Sequence, residues 1–150
     1  MACSCGEKKV FTSAKAPKAI APYSPAVKAG GLVFISGQLG VVPETGAFAE
    51  GGVEAETRQA LTNLKELLET AGASLEQVTK ATVFLRDIAD FAKMNGVYSE
   101  FFKVDPPARS AFQVGALPRG AAVEIEAIAV TGCACECSCE CCGEDCCKKE

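Results

Sequence analysis

The sequence predicts an α+β fold, in which two helices pack on one face of a mostly antiparallel sheet. Short runs rich in β-branched residues lie between glycine and proline turns, and two longer segments carry apolar residues at helical spacing. Their order along the chain is β-β-α-β-α-β-β, which favours helices segregated to one side of a sheet. With 150 residues, the chain is long enough for one domain with a single core.

The first predicted strands form a hairpin. Residues 26–29 and 32–36 are apolar runs on either side of Gly30-Gly31, a pair that suits a two-residue turn. Before them, residues 14–25 contain three prolines and are predicted to form an irregular loop, because proline donates no backbone hydrogen bond. Val10-Phe11-Thr12 is compatible with a further short strand.

Two segments are predicted to be helices. The first spans 53–71, with leucines and alanines on one face, and Gly72 suits its C-terminal end. The second follows Asp90, a residue suited to capping a helix N-terminus. We interpret its apolar side chains, phenylalanines included, as core residues: Phe91, Met94, Val97, Tyr98, Phe101 and Phe102.

Three further strands are predicted at 78–85, 110–115 and 122–130. In the last of them Glu124 and Glu126 lie two residues apart and hence on the same face of the sheet. Apart from these glutamates, both faces of that strand are apolar or small. Because the helices cover only one sheet face, we expect a second copy of the chain to cover the other.

Composition excludes several classes of function. The net charge of −4 offers no general basis for nucleic-acid binding, and no apolar run reaches the roughly 20 residues that span a bilayer. The first ten residues lack the pattern of a signal peptide, so we expect a cytoplasmic protein, with a mitochondrial location left open. The chain has no histidine, which excludes imidazole bases and histidine metal ligands.

Charged residues interrupt the apolar C-terminal strands. Arg109 begins one strand, and Glu124 and Glu126 lie in the next. An unpaired buried charge is costly, so each needs a partner or a task. Arginine binds a planar carboxylate through two parallel hydrogen bonds, which favours a pocket for a small acid. The alternative is that Arg109 belongs to a structural ion pair.

Several motifs carry a resemblance to a known family. They are Ala21-Pro22-Tyr23-Ser24-Pro25-Ala26, Ile35-Ser36-Gly37-Gln38, Thr82-Val83-Phe84-Leu85, Asn95-x-x-Tyr98, Pro107-Ala108-Arg109-Ser110, Gly115-x-Leu117-Pro118 and Val123-Glu124-Ile125-Glu126-Ala127. Together they resemble the RidA (YjgF/UK114) family of enamine/imine deaminases over about residues 9–131. The resemblance implies a chorismate-mutase-like fold and a homotrimer whose sheets form a central barrel, with a site in each cleft between subunits.

The resemblance also implies an activity and its residues. Members hydrolyse 2-aminoacrylate-type enamines and imines, such as 2-iminobutanoate and 2-iminopropanoate, to 2-keto acids and ammonia without a cofactor. By this resemblance, Arg109 holds the substrate carboxylate and Glu124 positions the attacking water. Tyr23 and Ser36 surround the substrate nitrogen and the water, while Gly37 contributes backbone and Asn95 lies at the pocket rim.

Plainer interpretations of these residues stay open. Tyr23 could anchor a loop, Ser36 could bond to backbone, and Asn95 could simply be a polar residue on a helix. The chain also departs from the family pattern. Ala111 stands where some bacterial members have cysteine, which excludes thiol chemistry at that position, and Ala21 stands where glycine is common.

Two other functions remain as alternatives at this point. One is a ribonuclease that inhibits translation, an activity also attached to this family. The acidic balance and the lack of histidine argue against it, because RNA cleavage usually needs a basic groove and a general base. The other is a chaperone-like or metal-buffering protein with an idle pocket. Small imine or enamine acids and further copies of the chain are therefore the expected partners.

The cysteines divide the chain into three parts: a lead at 1–8, the domain at 9–131 and a tail at 132–150. All ten lie in the two terminal segments, as Cys3, Cys5, Cys133, Cys135, Cys137, Cys139, Cys141, Cys142, Cys146 and Cys147. Their composition resembles metallothioneins. Closely spaced thiolates bind Zn(II), Cu(I) or Cd(II), and four hold one tetrahedral ion. The alternatives are a metal-free redox-active tail and, less favoured, an extracellular disulfide framework.

Overall fold

Six strands form one sheet, with two helices packed against it. The computed structural model describes residues 7–19 and 21–131. Its elements are β1 (Lys9–Phe11), β2 (Ala26–Ala29), β3 (Leu32–Leu39), α1 (Gly52–Thr70), β4 (Val78–Leu85), α2 (Phe91–Phe101), β5 (Ala108–Gln113) and β6 (Val123–Val130). The strand order is β1-β2-β3-β6-β4-β5, and only the β4–β5 pair is parallel. The predicted α+β architecture is confirmed.

The hairpin and most boundaries agree with the prediction. Gly30 and Gly31 both have positive φ, as a two-residue turn between twisted strands requires. The further short strand expected near Val10-Phe11-Thr12 is present as β1, paired antiparallel with β2. One difference concerns the sheet: β3 continues to Leu39 through an irregularity between Ile35 and Gln38. An extra residue there interrupts the alternation that the sequence pattern relies on.

Two predictions about the second helix are wrong. Asp90 precedes α2, but its side chain makes no capping hydrogen bond. Instead the Asp87 carboxylate accepts from the Ala89 amide at 2.9 Å, because a short 3-10 turn over Ile88–Asp90 comes before the helix. Phe91 is not a core residue either. It is 37% exposed, and its ring centre lies 5.7 Å from the Arg109 guanidinium.

The two faces of the sheet have different surroundings. On the helix face, buried side chains of the central strands pack against α1 and α2: Val33, Ile35, Ala81, Val83, Ile125 and Ala127 meet Leu61, Leu64, Leu68 and Met94. On the open face, the described residues leave Phe34, Phe112 and Val130 more than 40% exposed. This apolar open face agrees with the expected need for a second copy. None of the described helices is long and apolar enough to cross a membrane.

Candidate active site

Arg109 lies on the edge strand β5 and points to the helix face. It pairs with Ala81 of β4, which pairs with Ala127 of β6, and both alanines are buried under the helices. The Arg109 guanidinium lies 4.4 Å from the Tyr98 ring centre and donates a 2.7 Å hydrogen bond to Oδ1 of Asn95. Asn95 and Tyr98 lie three residues apart on α2 and therefore present one surface to the arginine.

The Arg109 guanidinium has no carboxylate partner among the described residues. None of the ion pairs in that part of the chain involves it. The alternative of a structural ion pair within the described domain is thus not supported. Asn95 and the aromatic ring instead hold a cation whose remaining donors are available to a ligand. A guanidinium stacked on an aromatic face keeps its planar fork oriented.

Tyr98 contributes its ring rather than its hydroxyl. Its hydroxyl oxygen is buried and has no hydrogen-bond partner among the described residues. Burial raises the pKa of Tyr98 to about 12, and the neighbouring positive charge of Arg109 offsets this only in part. The phenol is therefore neutral at physiological pH. It cannot serve as a base there, and its role near Arg109 is that of a platform.

Glu124 lies on the open face of β6, directly beside Gly37. The irregularity in β3 brings the Gly37 backbone so close that a Cβ atom there would overlap the Glu124 carboxylate. Only glycine leaves this space free. The pKa of Glu124 is raised, first by burial and then by the negative charge of Glu126 on the same face. Glu124 is therefore more easily protonated than an exposed glutamate.

Tyr23 and Ser36 lie in the loop and strand next to Gly37. The Ser36 hydroxyl donates to the Ser24 carbonyl oxygen at 2.7 Å, and the Ser36 amide donates to the Pro25 carbonyl oxygen at 3.0 Å. Ser36 therefore fixes the Tyr23–Pro25 loop, as its plainer interpretation expects, while its oxygen can still accept a hydrogen bond. Tyr23 is 46% exposed and, with Gly37, lines a cavity of about 410 Å³.

The structure brings the predicted residues together as two separate groups. Arg109 and Asn95 form one on the helix face, and Glu124, Gly37, Ser36 and Tyr23 form the other around the β3 irregularity. Arg109 and Glu124 point to opposite faces of the same sheet, since Arg109 is in register with Ala127 and Glu124 lies three residues before it. A single chain therefore cannot bring both groups of residues into contact with the same small molecule.

Sequence reasoning missed two residues near these groups. Tyr98 was interpreted as core and as part of the Asn95-x-x-Tyr98 motif but given no role in the site, although its spacing from Asn95 could have indicated a shared surface. Arg119 also lines the cavity, where its guanidinium donates to the Gly46 carbonyl oxygen at 2.9 Å and lies 5.0 Å from the Phe48 ring centre. No motif in the sequence pointed to Arg119, because its place depends on a turn with positive φ.

The predicted metal ligands cannot be placed. Cys3, Cys5 and the eight tail cysteines lie outside the described residues. Within residues 7–19 and 21–131, no three cysteine, aspartate or glutamate side chains are grouped so that they could hold a metal ion. Any metal site of the predicted kind therefore belongs to the terminal segments.

Comparison with known proteins identifies the family. The endoribonuclease L-PSP family model matches residues 13–131. The 2-iminobutanoate/2-iminopropanoate deaminase of Bos taurus is 53% identical over 125 residues, covering 83% of this chain and 91% of the relative. Reactive Intermediate Deaminase A, chloroplastic, of Arabidopsis thaliana is 49% identical, covering 82% and 66%. The crystal structure of E. coli TdcF with bound serine is 42% identical, with a TM-score of 0.78, covering 81% and 98%. The chain therefore belongs to the endoribonuclease L-PSP family, the family of the RidA-type deaminases.

Proposed function

We propose that this protein is a 2-iminobutanoate/2-iminopropanoate deaminase, which hydrolyses reactive enamines and imines to 2-keto acids and ammonia. Relatives with this name share about half of their residues with the chain. The observation that carries the proposal is the Arg109 guanidinium, held by Asn95 and Tyr98 but without a carboxylate partner among the described residues. A relative crystallised with serine, an α-amino acid, fits a site for a small acid with an α-nitrogen.

We place the proposed site in the cleft between neighbouring subunits of a homotrimer. Arg109 and Asn95 come from one subunit, and Glu124, Gly37, Ser36 and Tyr23 from the next. Two features support this arrangement: the two groups lie on opposite faces of one sheet, and the open face exposes apolar side chains. A closed ring of identical subunits repeats the same contact at every cleft.

The proposed reaction needs orientation more than a strong base. The enamine tautomerises to the imine, whose carbon is already electrophilic. Arg109 binds the carboxylate, and Glu124 holds a water whose oxygen adds to that carbon while a water proton passes to the nitrogen. The hydroxyl proton then transfers to the amine as the carbon–nitrogen bond breaks. Imine and water become keto acid and ammonia, and no metal or cofactor takes part.

The proposal is tested with an imine generated in the assay from an amino acid by a pyridoxal-phosphate dehydratase. Addition of the purified chain should accelerate loss of the imine and release of ammonia, measured separately. A second arm incubates the same preparation with single-stranded RNA. RNA cleavage without imine hydrolysis would favour the ribonuclease alternative and contradict the deaminase proposal.

Gly37→Ala should abolish most of the hydrolysis while the protein stays folded. A Cβ atom at this position overlaps the Glu124 carboxylate, and that side chain can rotate away at little cost. Its displacement moves the proposed water, so kcat falls by about 10²-fold, as for other small misplacements of reacting groups. Gly115→Ala is the matched control, because apart from its chain neighbours none of the described residues has an atom within 4 Å of a Cβ there. Full activity of the Gly37→Ala variant would contradict the proposed role of Glu124 in catalysis.

Glu126→Gln should move the acid limb of the kcat/KM profile to lower pH. The negative charge of Glu126 helps to raise the pKa of Glu124, so its removal lowers that pKa. Glu124 then stays ionised, and able to hold the water, in more acidic solution. The measurement is kcat/KM between about pH 4 and pH 9, a range that includes the titration of carboxyl groups with raised pKa values. Glu69→Gln, an exposed carboxylate on α1, should leave the profile unchanged.

We further propose that the cysteine tail binds Zn(II), Cu(I) or Cd(II). Eight cysteines within residues 133–147 supply soft thiolates at the spacing that bridges metals, and the chain offers them no histidine competitor. A reducing compartment such as the cytoplasm, our proposed location, keeps these thiols available. Reduced protein should retain metal after gel filtration, and the full chain with all eight tail cysteines changed to serine should not. Equal metal content in both would contradict this proposal.

A further inference from the structure

A cavity opens beside the proposed catalytic carboxylate and is larger than a four-carbon acid needs. Its volume is about 410 Å³, within the range of about 300–1,000 Å³ that accommodates drug-sized ligands. Its wall is formed by residues of the loop before β2, by residues between 37 and 46 and by Arg119. Gly37 belongs to this wall and lies directly against Glu124. A substrate held at Glu124 can therefore extend its side chain into the cavity.

The wall of this cavity carries two positive charges. Lys18 and Arg119 line it, both are exposed to solvent, and none of the described residues that line it is an aspartate or glutamate. Glu44 lies in the adjoining turn, but no ion pair within the described part of the chain involves Glu44 or either cation. Many of the other lining residues are small or apolar: Ala14, Ala16, Pro17, Leu39, Val41 and Pro43. Such a wall suits a short hydrocarbon chain that ends in a negative charge.

Contacts within the chain hold the Arg119 guanidinium in a fixed orientation. One of its N–H groups donates to the Gly46 carbonyl oxygen at 2.9 Å, and its central carbon lies 5.0 Å from the centre of the Phe48 ring. A guanidinium has five N–H donors, so four are left without a partner among the described residues. Because the group is already oriented, it loses little further freedom when it binds a carboxylate through two parallel hydrogen bonds.

Arg119 occupies a backbone conformation that disfavours a side chain. Its φ is 57°, and Gly120 follows with a φ of 74°. Positive φ favours glycine, so a turn that only reverses the chain gains nothing from an arginine here. Other elements hold the turn in place: Arg86 donates to the Gly120 carbonyl oxygen at 2.8 Å, and the Ala122 amide donates to a buried carboxylate of α1 at 2.8 Å. Strained residues maintained in this way are concentrated at catalytic and ligand-binding sites.

We propose that Arg119, assisted by Lys18, binds a second carboxylate at the end of the substrate side chain. The substrates then include 2-imino acids of the glutamate type, such as 2-iminoglutarate. This inference rests on the proposed function, in which Arg109 of one subunit binds the α-carboxylate and Glu124 of the next holds the water. The reaction is the same, since 2-iminoglutarate and water become 2-oxoglutarate and ammonia. Arg119 determines specificity and takes no part in breaking the carbon–nitrogen bond.

The test compares two imines of similar length, one acidic and one uncharged. The imines of glutamate and methionine are generated in the assay by flavin amino-acid oxidases, with catalase to remove hydrogen peroxide. Their loss is followed by trapping with semicarbazide, and kcat/KM is obtained for each. The native chain should prefer the glutamate imine, and Arg119→Gln should lower the ratio of the two kcat/KM values by about tenfold or more, as for loss of hydrogen bonds to a charged group. A ratio does not depend on the amount of active protein, so a partial folding defect leaves it unaffected.

Two further variants and an inhibitor complete the test. Arg86→Gln is the matched control, because Arg86 is also an exposed arginine bonded to a carbonyl of this turn but does not line the cavity. It should leave the ratio unchanged. Lys18→Gln should lower the ratio less than Arg119→Gln, since no side-chain hydrogen bond with a described residue orients the Lys18 amine. With 2-iminobutanoate as substrate, 2-oxoglutarate should inhibit the native chain more strongly than 2-oxobutanoate does, and Arg119→Gln should remove this difference.

The outcomes separate this inference from the proposed function. If the native chain hydrolyses none of these imines, the deaminase proposal fails and the inference fails with it. If it hydrolyses 2-iminobutanoate and the methionine imine but does not favour the glutamate imine, only the inference is overturned. A preference for the glutamate imine that persists in Arg119→Gln would also overturn it, because the second carboxylate would then bind elsewhere.

Discussion

Arg109→Ala should lower kcat/KM for 2-iminobutanoate by about two to three orders of magnitude, since losing one partner of a desolvated charge pair costs about 2–5 kcal/mol. The proposed role of Arg109 is to bind the substrate carboxylate through its planar fork. Arg109→Lys keeps the positive charge but lacks the planar fork, so its kcat/KM should lie between those of the native chain and of Arg109→Ala. Initial rates of ammonia release at several imine concentrations give the effect.

The matched control for this change is Arg58→Ala. Arg58 also forms a two-point contact, donating to both oxygens of Glu100 at 2.6 and 2.8 Å, but it lies exposed on α1. Exposed ion pairs contribute little, so its loss should leave kcat/KM and the unfolding temperature nearly unchanged. Full activity of Arg109→Ala in this comparison would overturn the proposed role of Arg109 in binding the substrate carboxylate, provided that the variant is folded and of native oligomeric state.

Glu124→Gln should reduce kcat by about 10²- to 10⁴-fold with little change in KM, as for loss of a general acid–base group. Glutamine has the same shape but lacks the negative charge with which Glu124 holds the water and assists its proton transfer to the nitrogen. The pKa of Glu124 is raised in the folded chain, so its ionised form opposes folding, and stability is lost as pH rises through that pKa. The neutral variant should therefore unfold at a temperature no lower than the native chain at pH 7.

Mixing the two variants tests how the site is assembled. Arg109→Ala and Glu124→Gln chains, each inactive alone, are unfolded and refolded together. If the two residues come from neighbouring subunits, random mixing leaves one cleft in four with both native side chains and restores about a quarter of the native rate. Failure to recover activity in mixed oligomers would place both residues in one subunit, against the opposite-face geometry.

The elements of this fold are largely predictable because its patterns are local. The Gly30-Gly31 turn, the α1 periodicity and the β-branched run at 78–85 depend on neighbours in sequence. The second helix shows the limit of prediction from such local patterns. Asp90 makes no cap, the Asp87 carboxylate instead caps the 3-10 turn before the helix, and Phe91 lies partly exposed beside Arg109. Helical spacing carries no information about that position.

The site was predictable in its residue types but not in its arrangement. Family motifs suggested Arg109 and Glu124, yet their opposite faces follow from the register of β5 on β4 and of β4 on β6, which are long-range pairings. Likewise, the contact between Gly37 and Glu124 depends on one extra residue in β3. A strand pattern read from sequence assumes regular alternation and cannot locate such an interruption.

In the proposed site shared between subunits, the placement of Arg109 and Glu124 on opposite faces would link catalysis to mass action. An enzyme whose two halves reside on different molecules has no activity as a lone chain, so its specific activity depends on protein concentration. On dilution below the dissociation constant of the oligomer, turnover per chain should decline and then recover on reconcentration. Substitutions on the apolar open face that weaken association would therefore appear as loss of activity, even where the changed side chain does not touch the substrate.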